Sequence, residues 1–211
     1  MLQIDLVTDI LCPWCILGQH RLDKVLAERF PDLAVDIRHH PFLLMPDCPP
    51  EGYSIAQMLR ERYGVTDPTQ AWARPEAEAR LSGLALDLSV QPNAYPSQAA
   101  HSLIRRAREH GTQHALAVAI TNAYFLGARN IGDAEVLADL AEPYGFTRDE
   151  ALAIARDPAE HRRTEAEAQQ AVQAGIRGVP HFVFGGRVAL NGGRAEDDLA
   201  AAIERALTLA A

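Results

Sequence analysis

The sequence predicts an α/β protein in which strands near the two ends of the chain enclose a long helical block. Near the start, an apolar run at residues 4–11 precedes a helical pattern at residues 16–30 and an alternating strand pattern at residues 33–39. Residues 54–174 are almost wholly helical in pattern, and a period of two returns at residues 179–190, before a last amphipathic helix. The predicted order is therefore β-α-β, a helical block, and then β-β-α.

The first strand and the first helix meet at the motif C-P-W-C, residues 12–15. A buried strand is predicted at residues 3–9, and a turn follows it. The first helix is predicted from Pro13 to about Arg29, because proline suits the first helical position and Pro31 ends the helix. A C-x-x-C motif at the corner between the first strand and the first helix is the opening of a thioredoxin fold.

Capping residues and glycines divide the helical block into separate helices. Thr147 and Glu150 have the spacing of a capping box, and Asp157 before Pro158 is typical of a helix start. The predicted helices lie at residues 54–63, 75–82, 96–110, 113–126 and 133–144, from residue 147 onward, and at residues 159–174.

Near the end of the chain, the pair G-G at residues 185–186 predicts a two-residue hairpin turn between two strands, and a helix follows at residues 195–209. Without the helical block, the remaining elements have the order of a thioredoxin fold. The predicted fold class is therefore α/β, a thioredoxin fold with a large all-helical insertion. We predict a thioredoxin-like domain at residues 1–50 and 175–211, and an inserted helical domain at residues 51–174.

The cysteine pair has the spacing of a dithiol/disulfide active site. Two residues separate Cys12 from Cys15, so their sulfurs can meet in a disulfide, and a helix N-terminus favours a thiolate. One C-x-x-C supplies two of the four ligands that zinc needs. Further ligands would have to come from His39, His40, His110 and His114. We interpret these histidines as surface or core residues, and the sequence predicts no metal site.

Pro180, at the start of the late strand pattern, supplies the second part of the predicted site. X-Pro bonds form most of the cis peptide bonds in proteins. A cis proline beside the cysteine pair would leave the Val179 backbone free to pair with an extended substrate segment. An ordinary trans proline that opens an edge strand is the alternative that the sequence leaves open.

Asp9 and Cys48 each have two interpretations. Asp9 is either a turn residue that bonds local backbone or a carboxylate near Cys15 that helps to move its proton. Cys48, in a proline-rich connector, is either a free and partly exposed thiol or a resolving or regulatory thiol.

Short motifs occur in a familiar order along nearly the whole chain. They are T-D-I-L-C-P-W-C at residues 8–15 with G at 18 and R-L at 21–22, H-P-F at 40–42, P-D at 46–47, P-P-E-G at 49–52, A-Y-F at 123–125, N-I-G-D at 130–133 with V-L at 136–137, and G-V-P-H-F-V at 178–183. In these motifs the sequence resembles the DsbA family of thiol–disulfide oxidoreductases. Within that family it is most similar to the FrnE-like branch of cytoplasmic dithiol–disulfide isomerases.

The resemblance implies a protein dithiol–disulfide oxidoreductase or isomerase with a thioredoxin fold and inserted helices. It implies Cys12 as the attacking, solvent-facing thiol, Cys15 as the buried resolving thiol and Pro180 as the cis proline. The expected substrate-binding residues are Pro13, Trp14, Val179 and His181. Two residues depart from the family pattern, since Cys48 has no counterpart there and His181 stands where an apolar or aromatic residue is expected.

The two residues between the cysteines, Pro13 and Trp14, lack the histidine of the most oxidising family members. We therefore expect a middle redox potential, roughly −180 to −270 mV. We expect no cofactor besides the redox-active Cys12–Cys15 disulfide, and glutathione stays open as a co-substrate. The alternative function is that of a glutathione-dependent isomerase or transferase of the kappa or 2-hydroxychromene-2-carboxylate isomerase type. That type needs a single serine or cysteine at the first position, so Cys15 argues against it.

Composition bears on location and partners. The net charge of −8 argues against nucleic acid or an anionic membrane as the main partner, and no apolar run approaches the ~20 residues of a membrane span. Residues 1–7 lack the features of a signal peptide, so we predict a cytoplasmic location. The expected partner is a protein or a small thiol or disulfide. A monomer and a homodimer both stay open, as do the physiological substrate and the direction of redox flow.

Overall fold

The computed structural model describes residues 1–210. Its strands are β1 (Leu2–Thr8), β2 (Val35–Pro41), β3 (Tyr53–Ser54), β4 (Asn93–Ala94), β5 (His181–Phe184) and β6 (Val188–Asn191). Its α-helices are α1 (Pro13–Arg29), α2 (Ile55–Tyr63), α3 (Pro68–Leu81), α4 (Gln98–Arg106), α5 (Gln113–Phe125), α6 (Ala134–Ala141), α7 (Arg148–Arg156), α8 (Pro158–Gln173) and α9 (Glu196–Ala210). Short 3₁₀ turns cover Leu88–Val90 and Glu142–Tyr144.

The main sheet of the described chain has the strand order β2-β1-β5-β6. Strand β1 pairs in parallel with β2 and antiparallel with β5, and β5 pairs antiparallel with β6. The β5–β6 hairpin turns at Gly185 and Gly186, whose φ angles of 58° and 65° are those that a two-residue hairpin turn requires. These pairings form a thioredoxin fold, so the predicted fold class is confirmed.

Two hydrophobic cores share helix α1. One core lies between the sheet and helices α1 and α9. Its largest fully buried side chains are Ile4, Leu6, Leu22, Phe182 and Phe184. The other core lies among the helices of the block, and Ile16 and Leu17 of α1 belong to it. Because successive turns of α1 pack into different cores, the helix that carries the cysteines is anchored on two sides. The division into two domains stays a prediction.

Helix α3 begins earlier than the sequence predicts. The predicted start is Pro75, whereas the observed start is Pro68, directly after Asp67, whose side chain accepts a hydrogen bond from the Thr69 N–H. Pro75 is buried inside the helix. Burial of its ring in the helical core offsets the backbone hydrogen bond that a proline cannot make.

Other features of the helical block show what a sequence pattern can and cannot reveal. The capping box of Thr147 and Glu150 is confirmed, with both reciprocal hydrogen bonds present. The ribbon of β3 and β4 is not predicted, because a two-residue strand is too short to show an alternating pattern. Among the helices of residues 1–210, none has the length and apolar character needed to cross a membrane.

An ion pair ties the helical block to the edge of the sheet. Asp36 of β2 accepts hydrogen bonds from Nη1 and Nη2 of Arg108, at 2.5 and 2.8 Å. Arg108 lies just after α4, and a further bond comes from Arg38 at 2.9 Å. The bonds from Arg108, with a smaller effect of Arg38, lower the pKa of Asp36 from 3.8 to about 2. Since Arg108 is half-exposed, this contact is open to water on one side.

Candidate active site

The two cysteines lie at the start of α1. Cys12 is the N-cap residue, in an extended conformation, and the Cys15 N–H donates to the Cys12 carbonyl oxygen at 2.9 Å. Pro13 occupies the first helical position, where its missing N–H leaves no helical hydrogen bond unmade. Cys12 therefore lies at the positive end of the helix dipole, and both cysteines are free thiols.

The structure covers Cys12 more than the sequence predicts. Cys15 is 0% exposed and Cys12 is 5% exposed, although Cys12 is expected to face solvent. One reason is the backbone of Val179, whose carbonyl oxygen lies 3.6 Å from Cys12 Sγ. Cys12 is still the less deeply buried of the two cysteines.

Val179 and Pro180 approach the cysteines from the other end of the chain. Val179 is 167 residues from Cys12 in sequence, and the Val179–Pro180 peptide bond is cis. Gly18 of α1 shows how closely the two segments pack. A Cβ at Gly18 would lie 3.0 Å from the Pro180 ring and 3.0 Å from Phe182. The structure therefore brings Cys12, Val179 and Pro180 together.

Burial raises the pKa of the Cys15 thiol well above its ordinary value. The hydrogen bond with Cys12 raises the pKa further, as do the charges of Cys12 and Asp9, whereas the Asp9 backbone lowers it. The Cys15 thiol is therefore protonated at neutral pH. A shallow cysteine at the helix N-terminus, with a more deeply buried and protonated one behind it, suits a nucleophile and its resolving partner.

A groove of about 510 Å³ runs along the Val179 side of the cysteine pair. Trp14 lines it and packs on the backbone at Gly193, where a Cβ would lie 2.7 Å from the indole ring. The Arg74 guanidinium lies 5.4 Å from the centre of the same ring, in a cation–π contact. Arg194 also lines the groove, as do the carboxylates of Glu78 and Asp198, so charges of both signs lie beside the Val179 backbone.

Arg21 of α1 holds the walls of this groove from the inside. Its side chain is 4% exposed, and Nε donates to Ser82 Oγ at 2.7 Å. Its terminal nitrogens donate to the carbonyls of Gly193 and Arg194, at 3.0 and 3.1 Å, and to the Glu78 carboxylate at 2.7 Å. One buried guanidinium thus joins α1, the end of α3 and the loop after β6. The sequence places Arg21 in a family motif but does not indicate this role.

On the other side of the motif, Pro13 borders an apolar cavity of about 180 Å³. Met45, Met58, Trp72 and Tyr124 supply much of its wall. Surfaces of different polarity therefore flank the cysteine pair. Trp14 and Val179 lie on the polar groove, and Pro13 lies on the apolar cavity.

His181 lies apart from the other predicted site residues. Its Nδ1 is 2.6 Å from Asn191 Oδ1, and it shares a surface of the sheet with Val7 and Val183. Side chains alternate along a strand, and the neighbouring Phe182 is the one that packs toward α1. Within residues 1–210, His181 makes no hydrogen bond to the cysteine pair.

Cys48 is buried rather than partly exposed. It packs with Met45 and Ala94, and its Sγ lies 3.6 Å from the Ala94 carbonyl oxygen. Burial raises the pKa of the Cys48 thiol, and the charge of Asp9 adds to this effect. Since the thiolate is the nucleophile, the structure favours a free, unreactive thiol over a resolving or regulatory one.

Three of the histidines considered as metal ligands contact other polar side chains, and the fourth, His110, packs against Phe146. His39 Nε2 lies 2.8 Å from His114 Nδ1, and His114 Nε2 lies 2.7 Å from Asp23 Oδ1. His40 Nε2 lies 2.9 Å from Asp5 Oδ1. In the part of the chain that the structure describes, no group of three His, Cys, Asp or Glu side chains is arranged to hold a metal ion.

Asp9 is buried, and its shorter backbone hydrogen bond comes from a distant segment, the connector after β2. Its Oδ2 accepts from the Leu44 N–H at 2.7 Å, and its Oδ1 lies 3.4 Å from the Leu11 N–H. The same Oδ1 lies 3.5 Å from Nε2 of His101, a buried residue of α4. Both interpretations of Asp9 therefore have support, since it bonds backbone and its charge also reaches Cys15. No sequence pattern pointed to His101, because only the packing of α4 brings it to Asp9.

Comparison with known proteins adds to this geometry. A family model described as DSBA-like thioredoxin domain matches residues 3–204. The crystal structure of a "probable DsbA oxidoreductase" from Streptomyces coelicolor has a TM-score of 0.86 at 28% identity, covering 99% of this chain and 91% of that one. A 2-hydroxychromene-2-carboxylate isomerase has a TM-score of 0.72 at 18% identity, covering 99% and 97%. The cytosolic disulfide reductase DsbM from Pseudomonas aeruginosa, with GSH, has a TM-score of 0.68 at 19% identity, covering 98% and 99%. The last two show a likeness of fold alone.

Proposed function

Since the chain belongs to the family of DSBA-like thioredoxin domains, we propose that it exchanges dithiols and disulfides through Cys12 and Cys15. The observation that carries the proposal is the arrangement of the two sulfurs. Cys12 lies at the N-terminus of α1 beside the Val179 carbonyl oxygen, and Cys15 lies one turn deeper with a raised pKa. The resemblance to the FrnE-like branch supports a role as a dithiol–disulfide isomerase or reductase.

In the reducing direction, the Cys12 thiolate attacks one sulfur of a substrate disulfide. A mixed disulfide forms between Cys12 and that sulfur, and the other substrate sulfur leaves as a thiolate. Cys15 then loses its proton and attacks the Cys12 sulfur. The Cys12–Cys15 disulfide forms, the second substrate sulfur leaves, and two electrons have passed from the protein dithiol to the substrate. The reverse sequence oxidises a substrate dithiol.

We propose that a peptide-like substrate lies along Val179 as an added strand. The Val179 backbone is next to Cys12, and the groove continues from it past Trp14. Backbone hydrogen bonds would orient any extended segment whatever its side chains. This supports a substrate range set by the presence of a disulfide and an extended backbone rather than by one side chain.

A Cys15→Ala variant tests the proposal by trapping the mixed disulfide. Incubated with intact insulin, whose chains are joined by disulfides, it is expected to accumulate covalent adducts that dithiothreitol releases. The matched control combines Cys12→Ser with Cys15→Ala and is expected to form none. Adducts that persist in this double variant would show that Cys12 is not the nucleophile, and Cys48→Ala should leave trapping unchanged.

A glutathione-dependent reaction is the second candidate, and the arginines that line the groove favour it. Arg74 and Arg194 lie beside Val179 along the groove, so a tripeptide with two free carboxylates would find both a backbone partner and positive charge. The likeness of fold to DsbM with GSH agrees with this candidate. If glutathione-dependent turnover is unchanged in Cys15→Ala, the one-cysteine reaction is favoured. If it is lost, the dithiol reaction is.

We also propose that the reaction takes place in the cytoplasm. Support comes from the fold shared with a cytosolic disulfide reductase and from the resemblance to the FrnE-like branch. In a reducing compartment, a potential in the middle range would let the protein both reduce and rearrange disulfides. A redox titration against glutathione buffers measures that potential. A value near −120 mV would contradict the expected range of roughly −180 to −270 mV.

A further inference from the structure

The charged side chains that line the groove beside the cysteine pair do not all cancel one another. Arg21 pairs with Glu78 at 2.7 Å, and Arg194 approaches Asp198 at 4.0 Å. Arg74 is the remaining charge, and its contact in the described part of the chain is with an aromatic ring rather than with an acidic side chain. The groove therefore carries one unmatched positive charge.

The sequence offers Arg74 a partner that the fold uses elsewhere. Glu78 lies four residues after Arg74 on α3, a spacing at which arginine and glutamate side chains can meet on a helix. The Glu78 carboxylate instead accepts from the buried Arg21 of α1, which also donates to the Glu78 carbonyl oxygen at 3.1 Å. Because these two contacts hold Glu78 toward α1, Arg74 stays exposed at the groove without an acidic partner.

Trp14 determines where this free charge lies. The Arg74 guanidinium is 5.4 Å from the centre of the indole ring. The ring itself packs on Gly193, whose carbonyl oxygen accepts from the buried Arg21 at 3.0 Å. A guanidinium over a ring face keeps its N–H groups available, because the ring offers no oxygen acceptor. Arg74 is therefore a positioned cation with hydrogen-bond donors left for a ligand.

The position of Arg74 matters because its platform, Trp14, stands between the two cysteines. Val179, the backbone along which the substrate is proposed to lie, lines the same groove. A substrate half that lies along Val179 thus has its sulfur at Cys12 and its neighbouring groups near Arg74. The whole chain has a net charge of −8, so its long-range field does not attract anions. A preference for a negatively charged substrate must come from a local cation.

We propose that Arg74 binds a carboxylate of the substrate, and that the protein therefore prefers disulfides with a carboxylate close to the reacting sulfur. The inference rests on the proposed function and adds a substrate class to it. Guanidinium and carboxylate pair through two parallel hydrogen bonds, which orient the substrate half as well as hold it. Arg74 takes no part in the bond changes. The Cys12 sulfur bonds to the substrate sulfur, the substrate S–S bond breaks, and the other half leaves as a thiolate.

Two kinds of substrate carry such a carboxylate. A small peptide such as glutathione has it at the end of its chain, one residue after the cysteine. A protein segment has it on an acidic side chain next to the cysteine. Both supply the same chemistry to Arg74, so the test uses a matched pair of disulfides for each source.

The members of each pair differ in that carboxylate alone. The first pair is glutathione disulfide and the disulfide of its glycine ethyl ester. The second is the disulfide of a blocked cysteine–glutamate dipeptide and that of its cysteine–glutamine analogue. Reduced protein with Cys48→Ala is mixed with each, quenched in acid and alkylated, and mass spectrometry gives the rate at which the Cys12–Cys15 disulfide forms. We expect the carboxylate member of at least one pair to react about 5-fold faster, and this ratio to shrink in high salt.

Variants of α3 assign the ratio to one side chain. Arg74→Gln is expected to bring the ratio close to one, whereas Arg74→Lys keeps the charge and is expected to keep most of the ratio. Arg80→Gln is the matched control, because Arg80 is also exposed on α3 but does not line the groove. It removes the same charge from the protein and should leave the ratio unchanged.

Each outcome decides between the two proposals. If no disulfide of either pair oxidises the cysteines of the parent protein, the proposed function itself is refuted. A ratio that falls in Arg74→Gln supports the inference, and the pair in which it falls identifies the source of the carboxylate. The inference is overturned by a parent protein without preference, by a ratio that Arg74→Gln leaves unchanged in both pairs, or by an equal fall in Arg80→Gln. Equal slowing of both members of a pair would likewise show that Arg74 acts on Cys12 and not on the substrate.

Discussion

Two arginines join the helical block to the thioredoxin sheet and its flanking helix, in opposite surroundings. Arg21 is 4% exposed and bonds carbonyls, a hydroxyl and a carboxylate from α3 and from the loop after β6. Arg108 is half-exposed, and Asp36 of β2 is its partner. The same guanidinium group thus makes a buried hydrogen-bond network at Arg21 and a surface ion pair at Arg108.

The difference shows how burial changes what an ion pair does. Water competes for the hydrogen bonds of Arg108 and salt screens its charge, so the contact with Asp36 contributes little stability. Removal of Arg21 would leave Ser82 Oγ and the Gly193 and Arg194 carbonyl oxygens without their donor, whereas the Glu78 side chain, 38% exposed, still reaches water. Arg21 also fixes the backbone at Gly193 and Arg194, which forms a wall of the groove beside Trp14. Arg21 therefore shapes the candidate active site, and Arg108 does not.

The largest expected effect comes from Arg21→Met, which keeps most of the side-chain volume. We expect a loss of about 2–4 kcal/mol in the free energy of unfolding, because Ser82 Oγ and both carbonyl oxygens lose their donor, whereas Glu78 still reaches water. Urea unfolding followed by circular dichroism measures it. Arg29→Met is the matched control on the same helix, where the partner Asp197 is exposed. Equal effects at both positions would remove the distinction between the two arginines.

Gly18→Ala tests whether the packing of α1 against Pro180 and Phe182 can be disturbed without loss of a hydrogen bond. The added Cβ would lie 3.0 Å from both Pro180 and Phe182, so these rings or α1 must shift by a few tenths of an ångström. We expect about 1–3 kcal/mol of destabilisation and a slower attack by Cys12 on a model disulfide. Gly178→Ala is the control, because a Cβ at Gly178 meets open space. Unchanged kinetics in Gly18→Ala would show that the approach of α1 to Pro180 is not critical.

The smallest effect belongs to Asp36→Asn, and it depends on pH. The folded-state pKa of Asp36 is about 2, below its ordinary 3.8, so its stabilisation is present above pH 4 and lost as the pH falls through 2. We expect the variant to be less stable by about 1 kcal/mol at pH 7 and the difference to vanish near pH 2. Urea unfolding across this range tests it, with the exposed Asp32→Asn as control. A difference that persists at pH 2 would mean that packing, not charge, is lost.

Much of the fold follows from patterns that are local in sequence. The start of α1 at Pro13, the capping box at Thr147 and the turn at Gly185 each depend on residues within a few positions of one another. Such elements are predictable, because a cap or a turn is decided by its own side chains and backbone angles.

The site is predictable only in part, since its contacts come from distant segments. The cysteine spacing indicates the chemistry, yet the cover of Val179 over Cys12 depends on the packing of β5 against α1. The turn of His181 toward Asn191 follows from strand register, and the contact of His101 with Asp9 follows from the packing of α4. Neither contact can be predicted from the neighbouring sequence, because histidine, asparagine and aspartate are equally common on a protein surface.

The separation of Cys12 from Val179 has a consequence for the newborn chain. The ribosome adds Cys12 167 residues before Val179, and Cys15 follows Cys12 closely. At ordinary rates of synthesis this interval lasts about 10–30 s. Throughout that time β1 has β2 as a neighbour but not β5, since β5 is made late. The dithiol therefore exists before the wall that covers it, and the growing chain carries two thiols that only completion of the protein encloses.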